Sequence, residues 1–402
     1  MRWQTAGESH GPGLTALVDG IPAGLEIDFG VLAMEMARRQ RGHGRGGRMK
    51  IETDAVRITA GVRYGRTTGG PVALWIENRD YENWQPVTHP EPLGAAERPS
   101  RQRLRPRPGH ADLVGLVKFG HDDVRDVLER ASARETAARV GVGALAKQLL
   151  AQFDVAIMSH VVALGGVTAN APTDVDHFAA EWLQALEMSP VRCLDAGAAI
   201  AMIAAIDAAK ESGDTLGGVF EVRARGLPIG LGSYTQWNRK LDGRLAQALM
   251  SIPAIKGVEI GEGFASAHAP GSAVHDALFV DGSGSNAVLT RLRRRSNRAG
   301  GLEGGVTNGE ELVARAAMKP IATLRRPVAS VDLATGEAVR ATAERSDVCA
   351  VPAAAVVGEA MTAITLADAL LDKLGGDSMQ ESLAAWRRYR ESLSRAFGAA
   401  EP

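Results

Sequence analysis

The sequence predicts a folded chain of the mixed α and β class, with the two kinds of element interleaved along it, and three observations carry that expectation. Short strand-like runs recur between longer stretches whose apolar residues fall at helical spacing. The composition is that of a globular protein, 45% hydrophobic and 23% charged. No Ser, Gly or Pro run reads as a flexible linker, and no repeat of solenoid period is present. By length alone the 402 residues are two or three domains' worth of material.

Taken in order, "GLTALVDG" (Gly13 to Gly20) reads as a strand. Asp28 suits an N-cap for a helix carrying Val31, Leu32, Met34 and Met36 towards Arg41. Short strands are expected at Ala55 to Ala60 and Val72 to Ile76. From about Ala133 the stretch ending "ALAKQLLAQF" has helical periodicity and is expected to bury one face. Strands follow at Val155 to Ala163 and Val219 to Ala224, with helices near Val175 to Leu186, Ala199 to Lys210 and Leu241 to Met250. Two helices close the chain, Val357 to Leu374 and Gln380 to Phe397. Glycine-rich, charge-bearing loops separate these elements, and such loops carry binding residues when a rigid scaffold holds them.

No stretch approaches the roughly 20 uninterrupted apolar residues of a membrane span, and the N-terminal "MRWQTAGESHG" lacks a signal-peptide core. The expected location is therefore cytoplasmic, with no membrane partner. Cys193 and Cys349 form neither a disulfide framework nor a CxxC pair. No P-loop, HExxH or nucleophile elbow is present, and no metal is expected.

Cations are unevenly spread. Eight of the 46 basic residues are lysine, and a GC-rich coding bias would give that ratio without any function. The distribution goes further: Arg38, Arg39, Arg41, Arg45, Arg48 and Lys50 run without an acid among them. Arg98 to Arg107 follow a single Glu97, and Arg291 to Arg298 again stand alone. Arginine's planar fork suits phosphate and carboxylate. A net charge of −1 and 4% aromatic residues weigh against nucleic acid, so a small polyanion is the better partner.

"GHGRGG" (Gly42 to Gly47) and "GSGSNA" (Gly282 to Ala287) match dinucleotide-binding glycine patterns, but neither lies in a strand–turn–helix unit. "NRAGGLEGGVTNG" is a glycine-rich loop, ordinary or ligand-approaching, followed by "MKPIATL" with Lys319. His10 and His110 sit in tight glycine-bounded turns, "GESHGPG" and "RPGHAD". Beside bound anions an imidazolium is favoured, which makes each a proton donor as well as an ordinary polar loop residue. "ERASARETAARVG" places Ser132, Arg134 and Glu135 at a helix entry, as a capping box or as an anion site. "ERSDVCAVP" sets Arg345 two residues before Asp347, a surface ion pair in its simplest reading.

Together and in this order, "GESHG", "RRQRGHGRGGRMKIETD", "GGPVAL", "RPGHADL", "ERASARETAAR", "SIPAIKGVEIGEGF", "SNRAGGLEGGVTNG", "KPIATL" and "ERSDVCAVP" resemble the signature segments of the chorismate synthases. They span about residues 6 to 360. The resemblance implies an α+β fold, one large single-domain sandwich of α and β layers over residues 1–402, assembled as a homotetramer. It implies a lyase of the shikimate pathway that removes phosphate and the C6 hydrogen from 5-enolpyruvylshikimate 3-phosphate by 1,4-anti elimination. Reduced FMN is required, lending and recovering an electron. With no reductase domain visible, a separate flavin reductase would supply it, and NADPH would serve indirectly.

Carried over residue by residue, the resemblance assigns Arg39, Arg45, Arg48, Arg107 and Arg134 to the substrate's anionic groups, with Arg39 and Arg45 also matching NADPH positions. His110 corresponds to the acid near the departing phosphate, His10 to the donor towards the flavin, and Asp347 to the route for the C6 proton. Flavin contacts are implied for Arg130, Ala131, Ser132, Pro253, Ala254, Gly304, Lys319, Pro320, Ile321, Ala322, Thr323 and Arg345. Pro253 stands where some members carry glutamine, so any contact there falls to its ring or carbonyl.

Overall fold

The computed structural model describes residues 1–47, 52–92, 104–170, 175–282, 288–342 and 346–396. Its principal elements are β1 (Arg2–Ala6), β2 (Gly13–Asp19), α1 (Phe29–Gln40), β3 (Val56–Ala60) and β4 (Val72–Glu77). Then come α2 (Asp112–Phe119), α3 (Val124–Ala131), α4 (Thr136–Ala151), β5 (Ala156–Leu164), β6 (Val167–Thr168), α5 (Ala180–Met188) and α6 (Ala196–Ser212). The chain ends through β7 (Gly218–Arg225), α7 (Leu241–Met250), β8 (Ile255–Ile260), β9 (Leu312–Met318), α8 (Val351–Leu374) and α9 (Met379–Arg395).

Two antiparallel sheets enclose a helical layer. The first has strand order β1-β2-β4-β3, the second β8-β9-β7-β5-β6. Alternation explains the first sheet: Leu14, Ala16 and Val18 of β2, and Val72, Leu74 and Ile76 of β4, all point to the interior, while Leu17 on the opposite face is exposed. Against that apolar face packs α4, and α8 packs in turn on α4 and on β5 and β7 of the second sheet. The resulting core runs from Leu14 and Leu74 through Leu145 and Val356 to Phe220 and Ala314. This is an α+β sandwich of layers.

The layering explains where the elements depart from expectation. Instead of burying one face, α4 is buried nearly all round, because it has a sheet on one side and α8 on the other. Gly143 permits that approach: a Cβ there would lie 2.3 Å from the Ala360 Cβ. α8 starts at Val351 instead of Val357, since Pro352 is tolerated in a first turn. It is long and apolar enough to cross a membrane by composition, and it is buried in the core. α5 begins later than the expected Val175, at Ala180, and α3 forms although no helix was predicted there. No capping box forms at Ser132: its hydroxyl accepts from the Arg134 N–H, while Glu135 turns to Thr5 and Arg139.

Candidate active site

Two of the predicted site residues, Arg39 and Arg134, come together where the C-terminal end of α1 meets the N-terminal end of α4. Asp28 caps α1 by accepting from the Gly30 and Val31 N–H groups, and the helix ends by sending Arg38 and Arg39 in different directions. Arg38 enters a buried ionic network with Glu35, Glu187 and Glu359, which Lys147 and Arg192 also join. Arg39 instead faces the start of α4, donating to Thr136 Oγ1 (3.1 Å) and the Ala133 carbonyl (3.2 Å), and pairs with Asp54 at 2.8 Å.

Asp54 is the hub of this end. Its carboxylate is shared by Arg39 and Arg134, both guanidiniums buried. Burial alone would raise the Asp54 pKa, but the two arginines outweigh it and hold it below the usual carboxylate range. Burial pushes Arg39 down to about 10, Asp54 opposing and the like charges of Arg45 and Arg134 assisting. Arg134 also donates to Asn78 Oδ1 at 2.9 Å. The other end of the same amide donates to the Glu8 and Gly11 carbonyls, so Asn78 ties the His10 turn to the arginine cluster.

His10 lies in that turn, its Nδ1 within 3.0–3.1 Å of both oxygens of Glu129 on α3, and its backbone N–H donates to Glu129 at 2.7 Å. On the other side, the loop Arg41 to Gly47 that follows α1 wraps against the residues preceding α8. Arg45 pairs with Asp347 at 2.6 Å, the Gly46 N–H donates to the other Asp347 oxygen at 2.6 Å, and the Val348 N–H donates to the Gly44 carbonyl. Asp347 thus pairs with a residue 302 positions away, while the expected pairing with Arg345 falls outside the described residues.

His110 forms a second focus. Its Nδ1 is 2.5 Å from Asp112 Oδ1, while Arg107 donates through Nε and its backbone N–H to Asp112 Oδ2, both 2.9 Å, and through Nη1 to Thr323 Oγ1 at 2.8 Å. Asp112 is fully buried; burial opposes its ionisation, but hydrogen bonds from His110 and Arg107 hold its pKa far below the usual range. Lys319 donates to the Gly109 carbonyl at 3.0 Å, and burial together with Lys256 lowers its pKa.

Among the residues assigned to flavin, a continuous series of contacts links most. Arg130 donates to Thr5, Thr5 to Glu135, Arg139 joins Glu135 to Ser251, and the Lys319 N–H donates to the Ala254 carbonyl. Ser132 heads the turn into α4, Pro253 precedes Ala254, and Pro320, Ile321 and Ala322 connect Lys319 to Thr323, where Ile321 accepts from Thr215. Ala254 adopts a left-handed φ of 69°. Gly304 is elsewhere: the neighbouring Gly305 carbonyl accepts from Leu241 at the start of α7, whereas Pro253 follows the end of that helix. Ten helical residues, about 15 Å, separate the two. Arg48 and Arg345 lie outside the described residues. A crevice of about 300 Å³ between Met1, Trp3, α7 and α8 contains none of the predicted site residues.

Four residues of this constellation were not singled out from the sequence: Asp54, Asn78, Asp112 and Glu129. Asp54, Asp112 and Glu129 fall within or beside quoted motif segments, "IETD", "RPGHADL" and "ERASARETAAR". An acid inside an otherwise cationic signature was the available signal.

A family model described as chorismate synthase matches residues 1–371. A chorismate synthase of Syntrophotalea carbinolica is 53% identical over 395 residues, covering 98% of this chain and 99% of the relative. That of Desulforudis audaxviator is 55% identical over 401 residues, covering 99% and 100%. A solved structure described as a crystal structure of chorismate synthase aligns with a TM-score of 0.76 at 42% identity, covering 98% of each chain.

Proposed function

The chain belongs to the chorismate synthase family, and from that premise we propose how its residues divide the family's reaction. As a member it is a carbon–oxygen lyase of the shikimate pathway, which serves aromatic amino acid biosynthesis. It converts 5-enolpyruvylshikimate 3-phosphate to chorismate by 1,4-anti elimination and uses a flavin. In our reading the flavin is reduced FMN, its electrons come indirectly from NADPH through a separate reductase, and the enzyme is a cytoplasmic homotetramer. Each chain is read as a single domain over its 402 residues.

Arg39, Arg45, Arg107 and Arg134, with Arg48, hold the substrate's carboxylates and phosphate, where a low effective dielectric strengthens their attraction. The observation that carries this assignment is that Arg39 and Arg134 share Asp54 while Arg45, paired with Asp347, lies close enough for both of their charges to act on Arg39. His110 donates a proton towards the departing phosphate, Asp112 and Arg107 holding its ring. His10 gives a proton on the flavin side, and Asp347 receives the C6 proton. The donor set of Ser132, Lys319 and Thr323, beside the backbone of Ala254, suits a phosphate-bearing flavin, with Arg130, Ala131, Pro253, Pro320, Ile321, Ala322 and Arg345 at its margins. When bound, the reduced flavin supplies the electron density that lets the C–O bond break without net oxidation of substrate. Gly304 is assigned to the same flavin, a helix length from Pro253.

The test mixes the protein anaerobically with chemically reduced FMN and substrate. Phosphate release with the flavin still reduced is expected, whereas one reductant consumed per product would overturn the reading. His110→Ala should lower turnover by roughly 10²-fold or more with flavin binding kept.

A further inference from the structure

Glu129 is nowhere assigned a role, yet it organises everything around His10. Its side chain is 4% exposed and takes three contacts from that one residue, the backbone N–H and both Nδ1 approaches. Its own carbonyl accepts from the Ser9 N–H at 3.0 Å, so main chain and side chain of the turn hang on one glutamate. Arg125, one turn earlier on α3, donates to Glu129 Oε1 at 2.8 Å and lies over the Trp84 ring, 5.1 Å from its centroid. Trp84 in turn packs against the His10 ring, centroids 4.0 Å apart and planes tilted by 34°. The imidazole is therefore fixed at its edge by a carboxylate and at its face by an indole.

We propose that Glu129 is a positioning residue for His10, keeping a proton on Nδ1 so that exchange occurs at Nε2, and that Arg125 tempers the carboxylate's pull on the imidazolium. An ionised carboxylate only accepts, so an Nδ1 at 3.0 Å from it must donate. Glu129 is ionised in this setting: burial alone would raise its pKa, but the hydrogen bond and charge of His10 and the Arg125 bond bring it below the ordinary value. A related construction recurs at His110, where Asp112 faces Nδ1 and Arg107 grips the carboxylate, although there the arginine Nη2 also lies 3.0 Å from Nδ1. Two histidines on different loops thus share one arrangement, arginine to carboxylate to Nδ1. Among the described residues, the charged groups about His10 are Glu129 and, behind it, Arg125, both from α3; from the other side Trp84 and Thr88 are uncharged, with Asp80 behind the Trp84 N–H.

The inference rests on the reading of His10 as a proton donor, and the experiment separates the two. Turnover is measured against pH for the full-length enzyme and for Glu129→Gln, Arg125→Gln and His10→Asn, and the ring nitrogens of His10 are followed by 15N NMR in the unliganded protein. Removing the carboxylate's charge makes imidazolium less favourable, so the high-pH fall in turnover should begin about one pH unit lower in Glu129→Gln. Removing the arginine should move that fall the other way. A purely architectural glutamate would lower turnover in both variants with the limb unmoved, and that result, or a shift of both in one direction, overturns the proposal. If His10→Asn keeps the wild-type limb, the donor reading fails. The NMR then decides the positioning role alone, an unprotonated Nδ1 at neutral pH refuting it.

Discussion

Asp54 offers the sharpest test of how the site is built, because its carboxylate bridges two buried guanidiniums, of which only Arg134 has a second acid, Glu52, within reach. Asp54→Asn keeps the side chain's shape and one acceptor oxygen but removes the charge between Arg39 and Arg134. Breaking a buried ion pair by deleting one partner costs about 3–5 kcal/mol. The retained amide places this variant at the lower end, about 3 kcal/mol. An unfolding entropy of about 2.1 cal/mol/K per residue, taken over 402 residues, makes each kcal/mol worth roughly 1.2 °C, so Tm should fall by about 4 °C. With Arg39 then lacking its carboxylate partner and Arg134 left to Glu52 alone at 3.6 Å, the excess of positive charge also forms an anion site, and inorganic phosphate should restore more of the variant's Tm than it adds to the wild type. Calorimetry with and without phosphate reads both effects. A variant melting within about 1 °C of wild type and indifferent to phosphate would refute the view that Asp54 neutralises the pair.

Three further outcomes follow from packing and charge elsewhere. Burial opposes the ionisation of Glu221, but the His160 hydrogen bond and the charges of Arg223 and Arg315 depress its pKa from 4.5 to about 2. Its contribution, about 3 kcal/mol, is complete above pH 4.5 and lost as pH falls towards 2, so Glu221→Gln should lower Tm at pH 7 and flatten the acid limb of Tm against pH. Burial pushes the Cys349 thiol up to about 11 and raises that of Cys193, so both cysteines should resist a thiol reagent at pH 8 in the native protein and react after denaturation. Gly143→Ala forces a methyl against Ala360 and should cost about 1–3 kcal/mol, read as a lower urea midpoint.

The elements that could be read from the sequence are those whose pattern is local. β2 and α1 fall where alternation and the Asp28 cap put them, because both signals lie within the segment itself. The burial of α4 on every side could not be read, since it depends on α8, more than 200 residues later, supplying the second wall. The same limit applies to the site. His10, His110 and the arginines stand out as residue types in tight turns, whereas Asp54 and Glu129 gain meaning only from Arg134 and His10, which the chain delivers from 80 and 119 positions away. Nor does motif order reveal that Gly304 lies a helix length from Pro253.

The acid-free arginine runs illustrate the same point in terms of charge. In sequence they look like pools of uncompensated cation; in space Arg39 meets Asp54, Arg45 meets Asp347, Arg105 meets Asp332 and Arg294 meets Glu303. For Arg39, Arg45 and Arg294, whose side chains are largely buried, this is a physical requirement, because a guanidinium removed from water without a counter-charge costs several kcal/mol, and a fold only modestly stable in total could not carry several of them. Neutral composition and clustered cations are therefore compatible only if the chain's topology returns acids to the clusters. It follows that an anion entering this end of the molecule does not meet bare positive charge. Arg107 already donates to Asp112 and Thr323, and Arg45 to Asp347, so on the proposed assignment a ligand's carboxylate or phosphate would gain those arginines by sharing or exchanging partners. On that proposal discrimination would rest on the difference between the ligand's fit to the guanidinium forks and that of the protein's own carboxylates, which would make positions such as Asp54 and Asp112 as decisive for recognition as the arginines themselves.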